Sequence, residues 1–78
     1  MSNKTVRTRT YQVIFEKSET GWGAYAPDLP GLGVAAKTRE EAERLIREGI
    51  IFHIEGLIED GLPVPEPSVW CKEIQVSA

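Results

Sequence analysis

The sequence is poor in the residues that usually stabilise very small folds. It has one cysteine, Cys71, and one histidine, His53, among 78 residues. An internal disulfide is therefore impossible, and a four-ligand zinc site is not expected. A chain of this length buries only about 60% of the surface that its unfolded form exposes. We therefore expect a single domain that gains stability by association with another subunit.

Long apolar runs are also missing. The first ten residues are polar and basic, so neither a signal peptide nor a membrane-spanning segment is predicted. A lone cysteine suits a reducing compartment. These features together predict a cytoplasmic protein.

The common catalytic motifs are absent as well. The chain has no P-loop, no CxxC and no HExxH sequence, so we predict no catalytic residues, no metal ligands and no cofactor. His53 falls among apolar neighbours, where a buried structural histidine is the simpler interpretation. An alternative remains open: an enzyme or small-ligand protein with a pocket near Trp22, Tyr25, Asp28 and His53.

Charge is unevenly distributed along the chain. The first seventeen residues are basic, whereas the segment Arg39–Asp60 holds seven acidic residues against three arginines. Such a segment repels phosphate and attracts basic proteins, so no direct nucleic-acid binding is expected. Glu43, Glu48 and Glu55 are candidate contacts for a basic partner. The alternative is an ordinary solvated helix face.

Extended patterns fill the first half of the chain. Three strands are predicted, over Arg7–Lys17, Trp22–Ala26 and Leu32–Lys37, and the first two should form a hairpin through Ser18–Gly21. Pro27–Gly31 is a tight loop because both prolines fix φ. Its residues Asp28 and Leu29, with the aromatic residues Trp22 and Tyr25, are candidate partner contacts. Trp22 could equally belong to the core.

A helix should follow the third strand. Thr38 and Glu41 are spaced as a capping box, and Gly61 followed by Pro63 ends the helix near Asp60. A proline-rich linker then leads to a final alternating strand, Val69–Val76. The fold class is therefore α+β with element order βββαβ.

The predicted helix has two apolar stripes. One faces the sheet and comprises Ala42, Leu45, Ile46, Gly49, Ile50, His53 and Leu57. The other, formed by Ile51, Ile54 and Ile58, lies nearly opposite and is a candidate self-association surface. Alternatively, the final strand or the linker folds back over these isoleucines.

Several stretches closely resemble the HicB-like antitoxin family. They are Tyr11–Phe15, Gly21–Tyr25, Pro27–Gly31, Thr38–Ala42 and Gly61–Pro65. The most specific feature is the PDLPG loop, followed seven residues after Gly31 by a T-x-E-E-A helix start. The resemblance covers roughly residues 10–76.

The resemblance implies a partial ribonuclease H-like fold and the neutralisation of a small, basic, mRNA-cleaving toxin of the HicA type by a homo-oligomer, a dimer or tetramer. The nuclease needs several acidic residues at its strand ends to hold metal, whereas the predicted strands here carry only two, Glu16 and Glu73. The resemblance to the nuclease should therefore be one of architecture and not of activity. Many HicB antitoxins carry a C-terminal DNA-binding segment. Here the sequence ends at Ala78, so we expect one domain over residues 1–78, with residues 1–9 as a flexible extension and no DNA-binding domain.

Overall fold

A computed structural model describes residues 8–78 of the chain. The elements are β1 (Ile14–Lys17), β2 (Trp22–Tyr25), β3 (Gly33–Ala36) and α1 (Arg39–Glu59). Three antiparallel strands followed by one long helix confirm the predicted α+β class. The predicted N-terminal extension, up to Arg7, lies outside the described residues.

The sheet is an antiparallel meander in the order β1-β2-β3. Phe15 pairs with Ala24, and Ala24 pairs in turn with Val34. The Ser18 N–H donates to the Gly21 carbonyl at 2.8 Å and closes the first turn. Gly31 adopts a φ of +87° in the second loop, a conformation that side chains other than glycine rarely take. Both predicted turns are thus formed, although each strand is shorter than its sequence pattern.

The helix begins and ends where its sequence predicts. The Glu41 N–H donates to Thr38 Oγ1 at 3.1 Å, and Gly61 follows the last turn with a φ of +71°. In a full capping box, the Glu41 carboxylate would accept a bond from the Thr38 N–H in return. Here this carboxylate has a different partner. The Glu41 carboxylate accepts from Arg44 Nη2 at 3.2 Å, because an arginine three residues along a helix is within easy reach.

The core is small and lies between the helix and strands β2 and β3. Its fully buried residues are Ala24, Ala26, Leu29, Ala42 and Ile46. Val13, Phe15 and Ile50 pack against this cluster from the β1 side but stay half-buried. One helix is about 10–12 Å across, narrower than a three-stranded sheet with side chains. The surface beneath β1 is therefore only partly covered.

The predicted final strand is not part of the sheet. Residues 62–78 form no helix or strand, and Trp70, Ile74 and Val76 are 79%, 74% and 76% exposed. Apolar and polar side chains alternate along this stretch, as they do in a strand. A strand also needs a neighbour to complete its hydrogen-bonded ladder, and no strand of the described chain lies beside it. We call Val69–Val76 the C-terminal segment.

Candidate functional site

The loop between β2 and β3 holds the start of the C-terminal segment. The Asp28 carboxylate accepts hydrogen bonds from the Ser68 hydroxyl at 2.7 Å, the Ser68 N–H at 2.9 Å and the Val69 N–H at 3.1 Å. These donors, led by the Ser68 hydroxyl, lower the pKa of Asp28. Asp28 was a candidate partner contact, but the structure gives its carboxylate an internal role as an anchor.

The other candidate partner contacts near this loop differ in how exposed their side chains are. Leu29 is fully buried, so its side chain supports the loop from inside and presents no contact surface. Tyr25 is 38% exposed and can still meet a partner. Trp22 is half-buried against the core, with Lys17 Nζ 5.6 Å and Arg39 Cζ 5.9 Å from its ring centroid. Its ring therefore joins the sheet to the start of the helix.

Two of the three candidate acids on the helix already have partners. Glu43 pairs with Arg47 at 2.9 Å, and Glu48 pairs with Arg44 at 3.3 Å. Exposed pairs of this kind stabilise a helix only weakly, by about 0.3–0.5 kcal/mol. They do, however, neutralise much of the charge in the first half of α1, so these carboxylates attract a distant cation less than a free one would.

Unpaired acidic charge collects instead at the end of the helix. Within residues 8–78, Glu55, Glu59 and Asp60 make no ion pair, and the last turn contains no basic residue. The helix dipole adds its negative end here, worth roughly half an elementary charge. A cationic partner would therefore be drawn most strongly to this end of α1.

An exposed aromatic side chain lies within this acidic surface. Phe52 is 76% exposed, and at 100° per residue it shares one helix face with Glu48, Glu55 and Glu59. We call these four residues the acidic face. The sequence analysis gives Phe52 no role, because Phe52 belongs to neither of the two apolar stripes. The signal in the sequence is a lone aromatic residue among the glutamates of this helix face.

A second surface runs between the start of the sheet and the helix. It is a groove of about 510 Å³ lined by Arg9, Tyr11, Val13, Phe15, Glu43, Ile46, Arg47, Ile50 and Ile51. We call it the β1–helix groove. A smaller cavity of about 250 Å³ continues it past Ile54 and Glu55. The groove contains a buried polar atom, Arg9 Nε, that has no hydrogen-bond partner in the described structure.

The predicted isoleucine stripe lies beside this groove. Ile51 lines the groove and is 52% exposed, and Ile54 lines the smaller cavity that continues it. Ile58 is 60% exposed further along the same side of α1. Trp22, Asp28 and His53, which the alternative prediction places around one pocket, line neither the groove nor its extension.

Within residues 8–78, no helix is long and apolar enough to cross a membrane. In the same range, no three His, Cys, Asp or Glu side chains come together as a metal site would require.

Comparison with known proteins identifies the family. The sequence profile described as "HicB_like antitoxin of bacterial toxin-antitoxin system" matches residues 11–76. The chain belongs to the HicB-like antitoxin family. It is 36% identical over 58 residues to "Antitoxin HicB 2" of Photorhabdus laumondii subsp. laumondii, an alignment that covers 74% of this chain and 42% of that protein.

A second relative comes from a bacteriophage. An uncharacterized 14.9 kDa protein in the rep-hol intergenic region of Haemophilus phage HP1 is 39% identical over 56 residues, which cover 72% of this chain and 42% of the phage protein. The chain thus spans less than half the length of both relatives. The matched part of this HicB-like chain includes the sheet, the helix and the C-terminal segment.

Proposed function

We propose that this HicB-like chain is a non-enzymatic binding module that neutralises a small basic toxin, a HicA-type ribonuclease that cleaves mRNA. The family supports an antitoxin role. The single observation that supports the mode of binding is the acidic face, where three carboxylates surround a phenylalanine that is 76% exposed. The module would act in the cytoplasm, a compartment that suits its single cysteine.

The acidic face has the two properties that recognition of a basic protein requires. Carboxylates near the negative end of the helix dipole speed association and orient the partner. An exposed aromatic ring supplies the buried contact area that charge alone does not provide. We propose Phe52, Glu55 and Glu59 as the central contacts, with Glu48 at the margin because Arg44 already holds its carboxylate. Tyr25 remains a candidate at a separate position.

In this proposal the toxin's RNA-binding surface is masked by the acidic face. No direct contact of this module with nucleic acid is required. We also propose that the module acts as a homo-oligomer. On the helix, Ile51, Ile54 and Ile58 lie on a different side from the acidic face, so self-association would leave that face open.

Charge reversal tests the proposal. A purified HicA-type ribonuclease is titrated with the wild-type chain and with Glu55→Lys, while binding is followed by calorimetry and mRNA cleavage by gel. We expect E55K to weaken binding at least tenfold, more at low salt than at high salt. Phe52→Ala should weaken binding with little salt dependence.

Glu19→Lys is the matched control, because it makes the same change of charge in the exposed turn between β1 and β2. This turn lies near the start of the helix, whereas Glu55 lies near its end. E19K should leave binding within about twofold, as expected for a distant screened charge. Equal losses of affinity for E19K and E55K would mean that binding depends on net charge and not on the position of the charge. An unchanged affinity in both E55K and F52A would remove the acidic face from the proposal.

A further inference from the structure

The chain contains an apolar groove and an apolar segment that do not meet within one molecule. The β1–helix groove is lined by Val13, Phe15, Ile50 and Ile51. The C-terminal segment exposes Trp70, Ile74 and Val76, each by about three-quarters of its surface. Apolar side chains on both sides remain in contact with water, so their association is favoured.

The groove lacks what an added strand would supply. Strand β1 lies at the edge of the sheet, with β2 on one side only among residues 8–78. Arg9 Nε is buried in the groove with no acceptor among residues 8–78, and a buried donor left unsatisfied is destabilising. A strand laid along β1 brings backbone carbonyls to this edge.

The C-terminal segment has the length and pattern of such a strand. Eight extended residues span about 26 Å, enough to run along the stretch from Arg9 to Phe15 that lines the groove. Trp70, Ile74 and Val76 point to one side of an extended chain, and Cys71, Glu73 and Gln75 to the other. Lys72, on the apolar side, can reach Glu43 at the rim of the groove.

Two contacts direct the segment away from the groove of its own molecule. The Tyr11 hydroxyl donates to the carbonyl of Pro65 beside the start of β1. Three residues after Pro65, the chain is held a second time. The Asp28 carboxylate, in the loop between β2 and β3, accepts hydrogen bonds from the N–H groups of Ser68 and Val69. The chain has thus crossed the end of the sheet and left β1 behind before the C-terminal segment begins.

We propose that the C-terminal segment of one copy adds as a fourth strand along β1 of a second copy, with Trp70, Ile74 and Val76 in the partner's β1–helix groove. A reciprocal exchange closes into a two-fold dimer and leaves no free segment. The inference rests on the homo-oligomer part of the proposed function and is independent of the toxin.

The area is adequate for a stable dimer. Two exchanged segments, each burying one tryptophan and two aliphatic side chains against a groove, remove on the order of 1,500 Å² from water, within the range of about 1,200–2,000 Å² for stable interfaces. Backbone pairing at each β1 edge adds to this contact and fixes its register.

The test uses the purified full chain without toxin, so its result does not depend on the antitoxin function. Sedimentation velocity over a hundredfold range of concentration should show a dimer for the wild type. Trp70→Ser with Ile74→Ser and Val76→Ser should raise the dissociation constant at least a hundredfold, and so should Ile51→Glu in the groove. Circular dichroism should show that both variants stay folded, since the altered residues are exposed.

The controls change the other faces of the same elements. Glu73→Ser with Gln75→Ser, and Phe52→Glu next to Ile51, should leave the dimer intact. Mixing the triple-serine variant with I51E should restore a weaker heterodimer, because one intact segment then meets one intact groove. A mixture that remains monomeric would contradict the exchange.

Crosslinking supplies the direct readout. A benzophenone amino acid at position 70 is irradiated in a mixture of ¹⁴N- and ¹⁵N-labelled chains, and crosslinked peptides are mapped by mass spectrometry. Mixed-isotope crosslinks to residues 13–15 or 50–51 are expected. Crosslinks within single chains, crosslinks to β3, or a wild type that is monomeric at every concentration would overturn the proposal.

Discussion

Strand β1 and the C-terminal segment have the same kind of sequence but different environments. The stretch before and within β1 alternates through Tyr11, Val13 and Phe15, and the C-terminal segment alternates through Trp70, Ile74 and Val76. The first set is half-buried, and the second is about three-quarters exposed. The difference is the neighbour: β1 pairs with β2 along four residues, while the segment has no pairing strand in the described chain.

This comparison separates two kinds of information in a sequence. Alternation specifies which side chains need to be buried. It does not specify which strand, or which molecule, buries them. A short turn such as Ser18–Gly21 supplies that second kind of information for β1 and β2, because it leaves the two strands only one way to pair. A proline-rich linker supplies none.

The largest predicted effect comes from truncating the core under the sheet. Ile46 is 2% exposed between the helix and β2 and β3, so Ile46→Ala should lower the free energy of unfolding by about 2–5 kcal/mol. Urea denaturation followed by circular dichroism measures the change. In a domain this small, the variant is expected to be largely unfolded at 37 °C.

The same truncation in the C-terminal segment should behave differently. Ile74 is 74% exposed, so I74A should leave the unfolding free energy unchanged at the lowest protein concentrations. Any loss should grow with concentration as the proposed dimer forms. A large loss for I74A that is independent of concentration would show that the segment packs within its own molecule.

A smaller effect is expected from adding one methyl group at Gly21, the residue just before β2. A Cβ at Gly21 would lie 2.3 Å from the carbonyl oxygen of Ala36, and backbone cannot move aside cheaply. Gly21→Ala should therefore cost about 1–3 kcal/mol. Thermal unfolding of the variant and the wild type at equal concentration measures this difference.

Gly56→Ala is the matched control for this substitution. A Cβ at Gly56 meets nothing within 4 Å, and alanine favours a helix over glycine by about 0.8–1.0 kcal/mol. G56A should therefore raise the melting temperature while G21A lowers it. If both variants shifted the melting temperature in the same direction, the close approach of Gly21 to β3 would not explain the result.

Local sequence signals predicted the order of the first four elements and the bounds of the helix. Thr38 and Gly61 mark the ends of the helix because both act on groups within one turn. The strands came out shorter than their patterns because a ladder extends only as far as both partners do. Arg7–Lys17 was predicted as one strand, yet the structure pairs only Ile14–Lys17 with β2.

The candidate site was predicted less well, since it depends on contacts between distant residues. Asp28 reaches Ser68 across forty positions, and no local pattern indicates that pairing. The burial of Leu29 likewise depends on the tertiary fold around its loop. The charge excess of the helix was evident in the sequence, but the ion pairs of Glu43 and Glu48 shift its unpaired part towards Glu55 and Glu59.

The smallest predicted effect concerns the joint between the folded body and the C-terminal segment. The pKa of Asp28 is lowered by its hydrogen bonds to Ser68 and Val69. The anchor should therefore be complete above the pKa of an unfolded aspartate, about 3.9, and should be lost as pH falls through the lower folded value. Because Asp28 lies near the surface, the overall stability should change little.

Nuclear magnetic resonance can follow this joint directly. The amide shifts of Ser68 and Val69 should titrate together below pH 4, and the amides of the C-terminal segment should become more mobile in the same interval. Ser68→Ala removes the shortest of the three bonds, so it should move the Asp28 midpoint back towards its ordinary value. Asp28→Asn should abolish the titration. Amides at 68 and 69 that titrate equally in D28N would mean that another carboxylate governs the joint, and the crossing of the segment away from β1 would then need a different anchor.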